Sequence, residues 1–162
     1  MKYYQQDLIN AFSIWFILEI NAIGGEFVWW YDLPANLGSY YHGGVTNLVI
    51  DQSTDEIYIS GENHLGNISF GHIDIPQNLE SYIAKLSKHD DTFEFDWAVV
   101  TSGLRNTIFQ LSVSNENLYF AGMFFVSINY AGNSVNSNGG NDVFVGKMPL
   151  PRESDGDNFF DY

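Results

Sequence analysis

Glu56-Ile-Tyr-Ile-Ser-Gly61 returns as Asn117-Leu-Tyr-Phe-Ala-Gly122, and this recurrence decides how the whole chain is read. Both copies carry a tyrosine in third place and close on glycine. Tyr82-Ile-Ala-Lys-Leu86 likewise returns as Phe144-Val-Gly-Lys-Met148, and Phe16-Ile-Leu-Glu-Ile20 is an earlier copy with Glu19 in the lysine position. A short polar turn and an aromatic segment follow each of these three: Glu26-Phe-Val-Trp-Trp30, Glu94-Phe-Asp-Trp97 and Asn158-Phe-Phe-Asp-Tyr162. A fixed internal period is the mark of a repeat architecture.

One repeat holds four short apolar runs: the aromatic segment, a second run at 47–51 or 109–114, the glycine-closed run and the lysine run. Polar turns such as Gln52-Ser-Thr-Asp55 and Asn115-Glu-Asn117 separate them, and no helical period intervenes, so the chain reads as all-β. Four antiparallel strands per repeat predict the blades of a β-propeller, two complete ones with partial strands at both ends. The expected division is a final strand within 1–25, blades at 26–92 and 93–148, and the turn and first strand of a further blade at 149–162. About 61 residues per repeat exceeds the usual blade of roughly 40 to 50. The surplus falls in Ser127-Ile-Asn-Tyr-Ala-Gly-Asn-Ser-Val-Asn-Ser-Asn-Gly-Gly140, whose Gly, Asn and Ser content predicts a protruding loop.

The tyrosine strand closing on glycine, the aromatic steps Ser69-Phe-Gly71 and Asn129-Tyr-Ala-Gly132, and Gly139-Gly-Asn-Asp-Val-Phe-Val-Gly-Lys-Met148 before an aromatic strand together resemble the SBBP-type bacterial β-propeller repeats. The resemblance covers nearly the whole chain and is closest in the last copy. In the second copy Gln77-Asn-Leu-Glu-Ser81 replaces the Gly-Gly-Asn-Asp lead-in. What the resemblance implies is a scaffold, outside the cell or on its surface, with no reaction attached.

Composition narrows the function classes. The 162 residues include 6 Lys+Arg against 20 Asp+Glu, a formal charge of −14 that repels nucleic-acid phosphates and anionic membrane surfaces. With no cysteine, thiol catalysis, disulfides and thiolate-bound metals are excluded. Lys2 and the apolar stretch at 11–18, with Ala22 and Gly24 spaced like a cleavage site, have the outline of a secretory signal. Asp7 and Glu19 shorten that stretch, and residues 12–20 read better as a buried strand.

Few motifs suggest chemistry. Asp155, Asp157 and Asp161 in the C-terminal Ser154-Asp-Gly-Asp-Asn-Phe-Phe-Asp161 space oxygen ligands like a calcium loop, but the bidentate glutamate and flanking helices of such a loop are missing. Repeat alignment sets Phe160-Asp-Tyr162 on Phe95-Asp-Trp97, so a solvated turn before a strand is the simpler reading. His42, His64, His72 and His89 form no metal-ligand spacing, although His64 and His72 flank one predicted hairpin. Nucleotide-binding loops, nucleophile elbows and cofactor fingerprints are absent from the sequence.

Two functions remain. In the first, the chain is a non-catalytic module that binds protein or polysaccharide, with Trp29, Tyr31, Tyr40 and Tyr41 contributing an aromatic surface while Trp30, taken as the counterpart of Trp97, packs in the core. In the second it is a glycosidase-like hydrolase using two of Asp32, Glu62, Asp74, Glu94 and Asp96, but no acid is shared by all three copies. Glu94 and Asp96 fall on one strand face and are expected to meet water, with Phe95 and Trp97 turned inward. The strand inventory is too small to close a propeller, so the isolated chain is expected to self-associate through its aromatic outer faces.

Overall fold

The computed structural model describes residues 16–20, 27–32, 43–63, 68–70, 73–75, 81–89, 92–103 and 105–150. The strands are β1 (Phe16–Ile20), β2 (Phe27–Asp32), β3 (Gly43–Asp51), β4 (Glu56–Asn63), β5 (Ile68–Phe70), β6 (Ile73–Ile75), β7 (Ser81–His89), β8 (Thr92–Gly103), β9 (Thr107–Ser114), β10 (Asn117–Phe124), β11 (Ser127–Tyr130), β12 (Asn133–Asn136) and β13 (Asp142–Pro149). No helix occurs among the described residues, and the all-β antiparallel architecture expected from the strand pattern is what forms.

A six-stranded sheet runs in the order β12-β11-β8-β7-β4-β3, a three-stranded sheet in the order β13-β10-β9, and β1-β2 and β5-β6 form separate hairpins. Strands β3, β4 and β7 of the large sheet are repeated by β9, β10 and β13 of the small one. Tyr58 pairs with Lys85 across β4 and β7, and Tyr119 pairs with Lys147 across β10 and β13. A bulge opposite the closing glycine also recurs, with Thr46 as the extra residue in β3 and Phe109 in β9. Such a bulge twists the strand and points two successive side chains to one side.

Central strands of the large sheet are buried on both faces, as the apolar runs in β4 and β7 require. One face sets Ile57, Ile59, Tyr82, Ala84, Leu86 and Phe95 against Phe70 and Ile75 of the β5-β6 hairpin. The other sets Tyr58, Ile83, Trp97 and Val99 against Ile108, Leu111, Leu118, Phe120 and Met148 of the small sheet. Each fully buried side chain of this size contributes about 1.5–3 kcal/mol by leaving water. Strand β10 alternates buried and half-buried positions because only one face of the small sheet is covered.

Three features depart from the sequence reading. The aromatic strand β8 hydrogen-bonds to β7, the lysine strand that precedes it, just as β2 pairs with β1. The hydrogen-bonded set β3-β4-β7-β8 is therefore offset by one strand from the unit drawn at 26–92. The segment expected to protrude at 127–140 does so only in part. Its β11 joins β8 through Ile128 and Asn129, Ile128 is buried, and Tyr130 packs on Phe120 with ring centroids 5.0 Å apart. The apolar positions 128 and 130 in an otherwise polar stretch drive this docking, while β12 stays exposed along its length. The Ala131-Gly132 turn between them has positive φ at both residues, which matches the twist of a two-residue hairpin.

The third departure concerns Trp97. A bulge in β8 makes Leu86 face Phe95 and Lys85 face Trp97, leaving Asp96 as the extra residue. Phe95 and Trp97 both turn inward as expected, but into opposite cores. In the β1-β2 pair Glu19 faces Trp29 and Ile20 faces Phe27 around the same kind of bulge. Trp29, not Trp30, thus holds the register position of Trp97.

Candidate functional site

The bulge in β8 aims the Asp96 carboxylate along the same face as Lys85. Lys85 Nζ lies 3.0 Å from Asp96 Oδ2 and 2.5 Å from Glu56 Oε1, with its side chain only 11% exposed. Ser87 Oγ donates to Asp96 Oδ2 at 2.6 Å, His89 Nε2 stands 2.9 Å from Asp96 Oδ1, and Tyr58 donates its hydroxyl to Glu56 Oε2 at 2.7 Å. Three neighbouring strands, β4, β7 and β8, supply the members.

The electrostatics of this cluster favour the ionised forms of Asp96 and Lys85. Burial acts to raise the Asp96 pKa, but hydrogen bonds from Ser87, His89 and Lys85 outweigh it and hold the carboxyl below its usual value. Burial acts to lower the Lys85 pKa, and contacts with Glu56 and Asp96 outweigh that in turn, so the ammonium is stabilised. Tyr58 is pushed up by burial and then by Glu56, which keeps its hydroxyl a donor. The hydrogen bond to Asp96 raises the pKa of exposed His89. A carboxylate held this firmly ionised is a poor proton donor. The cluster acts as an electrostatic brace across three strands.

A second polar group lies between the sheets. Ser81 Oγ donates to Asn106 O at 2.7 Å, Ser60 Oγ to Ile108 O at 3.4 Å, and Asn47 Oδ1 accepts from Leu111 N at 3.2 Å. Thr46, the bulged residue of β3, donates to Ile108 O, and Thr107 donates to Glu62. Side chains of the large sheet thereby satisfy the β9 backbone where the strand crosses out of reach of a ladder. Serine and threonine at inward strand positions were the sequence signal for this seam.

The small sheet presents its other face to solvent. Val143 and Val145 are 76% and 78% exposed, Phe109 is exposed beside them, and Lys147 Nζ sits 5.7 Å from the centre of the Tyr119 ring. A cavity of about 170 Å³ opens elsewhere, between β8 and the β11-β12 turn, lined by Ala98, Val100, Ser102, Tyr130 and Gly132 among others. That is small beside the roughly 300–1,000 Å³ of small-molecule sites.

Of the residues singled out in the sequence, Trp29 and Tyr31 lie in β2, facing Glu19 and Ile17 in register. Tyr40, Tyr41, Asp155, Asp157, Asp161, His42, His64 and His72 lie outside the described residues. Among the described residues no group of three or more His, Asp or Glu side chains is placed to hold a metal ion. The open valine face was not found from sequence, although Val143 and Val145 alternate with Phe144 and Gly146 and so had to face away from the core. No protein-family model, curated protein or solved structure matches the chain.

Proposed function

We propose that the chain is a non-catalytic β-propeller-type repeat module whose open valine face docks a protein partner built from a similar β unit. One observation carries this reading. The Tyr58 side of the large sheet packs on the Leu118 side of the small one, and Leu118 is the repeat counterpart of Ile57, on the opposite face of β4. Repeats therefore stack front to back. By the same rule the Tyr119 side of the small sheet, with Val143 and Val145, is a front face suited to another back face rich in Leu, Phe and Met. Heterologous stacking of this kind is how blades and solenoid units propagate. An exterior location belongs to the same reading and rests on the resemblance to SBBP-type repeats.

Sedimentation velocity at micromolar concentration tests the proposal when paired with titration of candidate partners and polysaccharides and with a turnover assay. Saturable protein association that is lost in Val143→Glu and Val145→Glu, without product, supports the docking face. Polysaccharide binding unaffected by those substitutions, or release of sugar product, overturns it.

A further inference from the structure

The back face of the large sheet is built like the face through which the small sheet meets its neighbour. Ile57, Ile59 and Leu86 are the repeat counterparts of Leu118, Phe120 and Met148, and those three pack against the Tyr58 side of the large sheet. By the same rule Ile57, Ile59 and Leu86 form a surface for the front of a preceding repeat. A hairpin of the chain itself lies there instead. The Phe70 ring of β5 has its centroid 5.0 Å from that of Tyr82 and 4.6 Å from that of Phe95, and Ile75 of β6 is buried in the same cluster.

This hairpin has two unlike faces. Phe70 and Ile75 turn into the sheet, while Ser69 and Asp74, paired across the hairpin, turn outward, where Ser69 Oγ donates to Asp74 Oδ1 at 2.6 Å. An apolar inner face beneath a polar outer one is what the terminal cap of a stacked array requires. The same slot of the second repeat, between β10 and β13, holds β11 and β12, but β11 joins the edge of β8. We propose that β5-β6 is a cap standing in for a preceding repeat, so that the module stacks through its valine face alone, onto an uncapped β repeat and not onto a second unaltered copy of this chain. The proposal rests on the docking reading of the valine face and narrows the partner to a unit whose apolar back carries no hairpin. Val145 is the repeat counterpart of Ile83, which is buried between the two sheets, so the open front already has the residue type that such a back accepts. Removing the cap turns the chain into its own partner.

Sedimentation velocity at micromolar concentration tests it. Glu62 faces Ser81 across β4 and β7, so residues 64–80 can be replaced by a short glycine-rich turn. The shortened chain is expected to form open-ended oligomers that grow with concentration, as heterologous contacts do, and Val145→Glu in the same chain is expected to return it to a monomer. Mixed with the unsubstituted chain, the shortened Val145→Glu variant should give a one-to-one complex, because each then offers a single competent face. If the shortened chain loses its β circular dichroism spectrum, Phe70→Ala with Ile75→Ala in the full chain loosens the hairpin without removing it and is read in the same way. A folded uncapped chain that stays monomeric, oligomers that survive Val145→Glu, or an unsubstituted chain whose own self-association is abolished by Val145→Glu overturns the cap. Failure of the docking reading looks different: a protein partner then stays bound to Val145→Glu, whereas a failed cap leaves partner binding dependent on Val145.

Discussion

Lys85 and Lys147 face a tyrosine at the same register position of two repeats, yet they live in different surroundings. Lys85 is tied to Glu56 and Asp96 beneath the small sheet, whereas Lys147 is exposed on a surface of valine, tyrosine and phenylalanine. Backbone, bulge and strand order are shared. What differs is the cover and, among the described residues, the adjoining strand β8 that supplies Asp96, so the repeat fixes the ladder while its neighbours decide whether a charge becomes part of the core.

The largest expected effect tests that contrast on apolar residues. Trp97→Ala should destabilise the chain by about 3–5 kcal/mol in denaturant titration, since it empties the space between the sheets. Val145→Ala on the open face should cost under about 0.5 kcal/mol. Similar losses would break the distinction between covered and open faces.

Gly103 probes where the two repeats meet. Its φ is +130°, and a Cβ there would lie 2.1 Å from the Ser127 carbonyl oxygen. Gly103→Ala should therefore cost about 2–3 kcal/mol through backbone strain and displacement of β11. Faster hydrogen exchange confined to β11 and β12 would locate the damage.

Next come the lysines themselves. Lys85→Ala leaves two carboxylates facing one another and is expected to cost about 2 kcal/mol, reduced from the fully buried case because both acids keep some solvent contact. Lys147→Ala should cost less than about 1 kcal/mol, as exposed charges do. A reversed order would show that cover is not what separates them.

The smallest effect is a matter of pH. Asp96 raises the pKa of His89, so their pairing stabilises the fold below the usual histidine value and the contribution disappears as pH rises through the folded-state value. Asp96, held below its usual pKa, stays ionised throughout that range. His89→Gln should thus melt earlier than the parent near about pH 5.5 and together with it near about pH 8.5. A difference at the higher pH alone would sharpen the comparison against the charged pair.

Period and alternation made the strands and their repeat legible in the sequence, including the counterparts Tyr58 and Tyr119. Bulges were not legible, because an extra residue leaves no mark on composition. One bulge sends Phe95 and Trp97 to opposite cores, and another puts Trp29 at the position, opposite residue 19, expected for Trp30 as the counterpart of Trp97. A gapless match of Glu26-Phe27 to Glu94-Phe95 contains the correct answer. The lysine brace was half visible: Lys85 marked the repeat, but its partners come from strands 29 residues before and 11 after it, brought together only by pairing. Ile128 and Tyr130 were hidden by the polar residues around them, whose number outweighed their spacing.

The excursion of β11 from the small sheet onto the end of β8 has a consequence for folding order. In a simple repeat array each unit touches only its neighbours through their faces and can fray from an end. Here a strand that follows β10 completes the sheet of the preceding repeat before the chain returns to form β13. The small sheet cannot come away whole without unzipping part of the large one. Unfolding should accordingly proceed as one cooperative event across both repeats, and folding should wait on the closure of a long loop, making the chain slow to fold for its size.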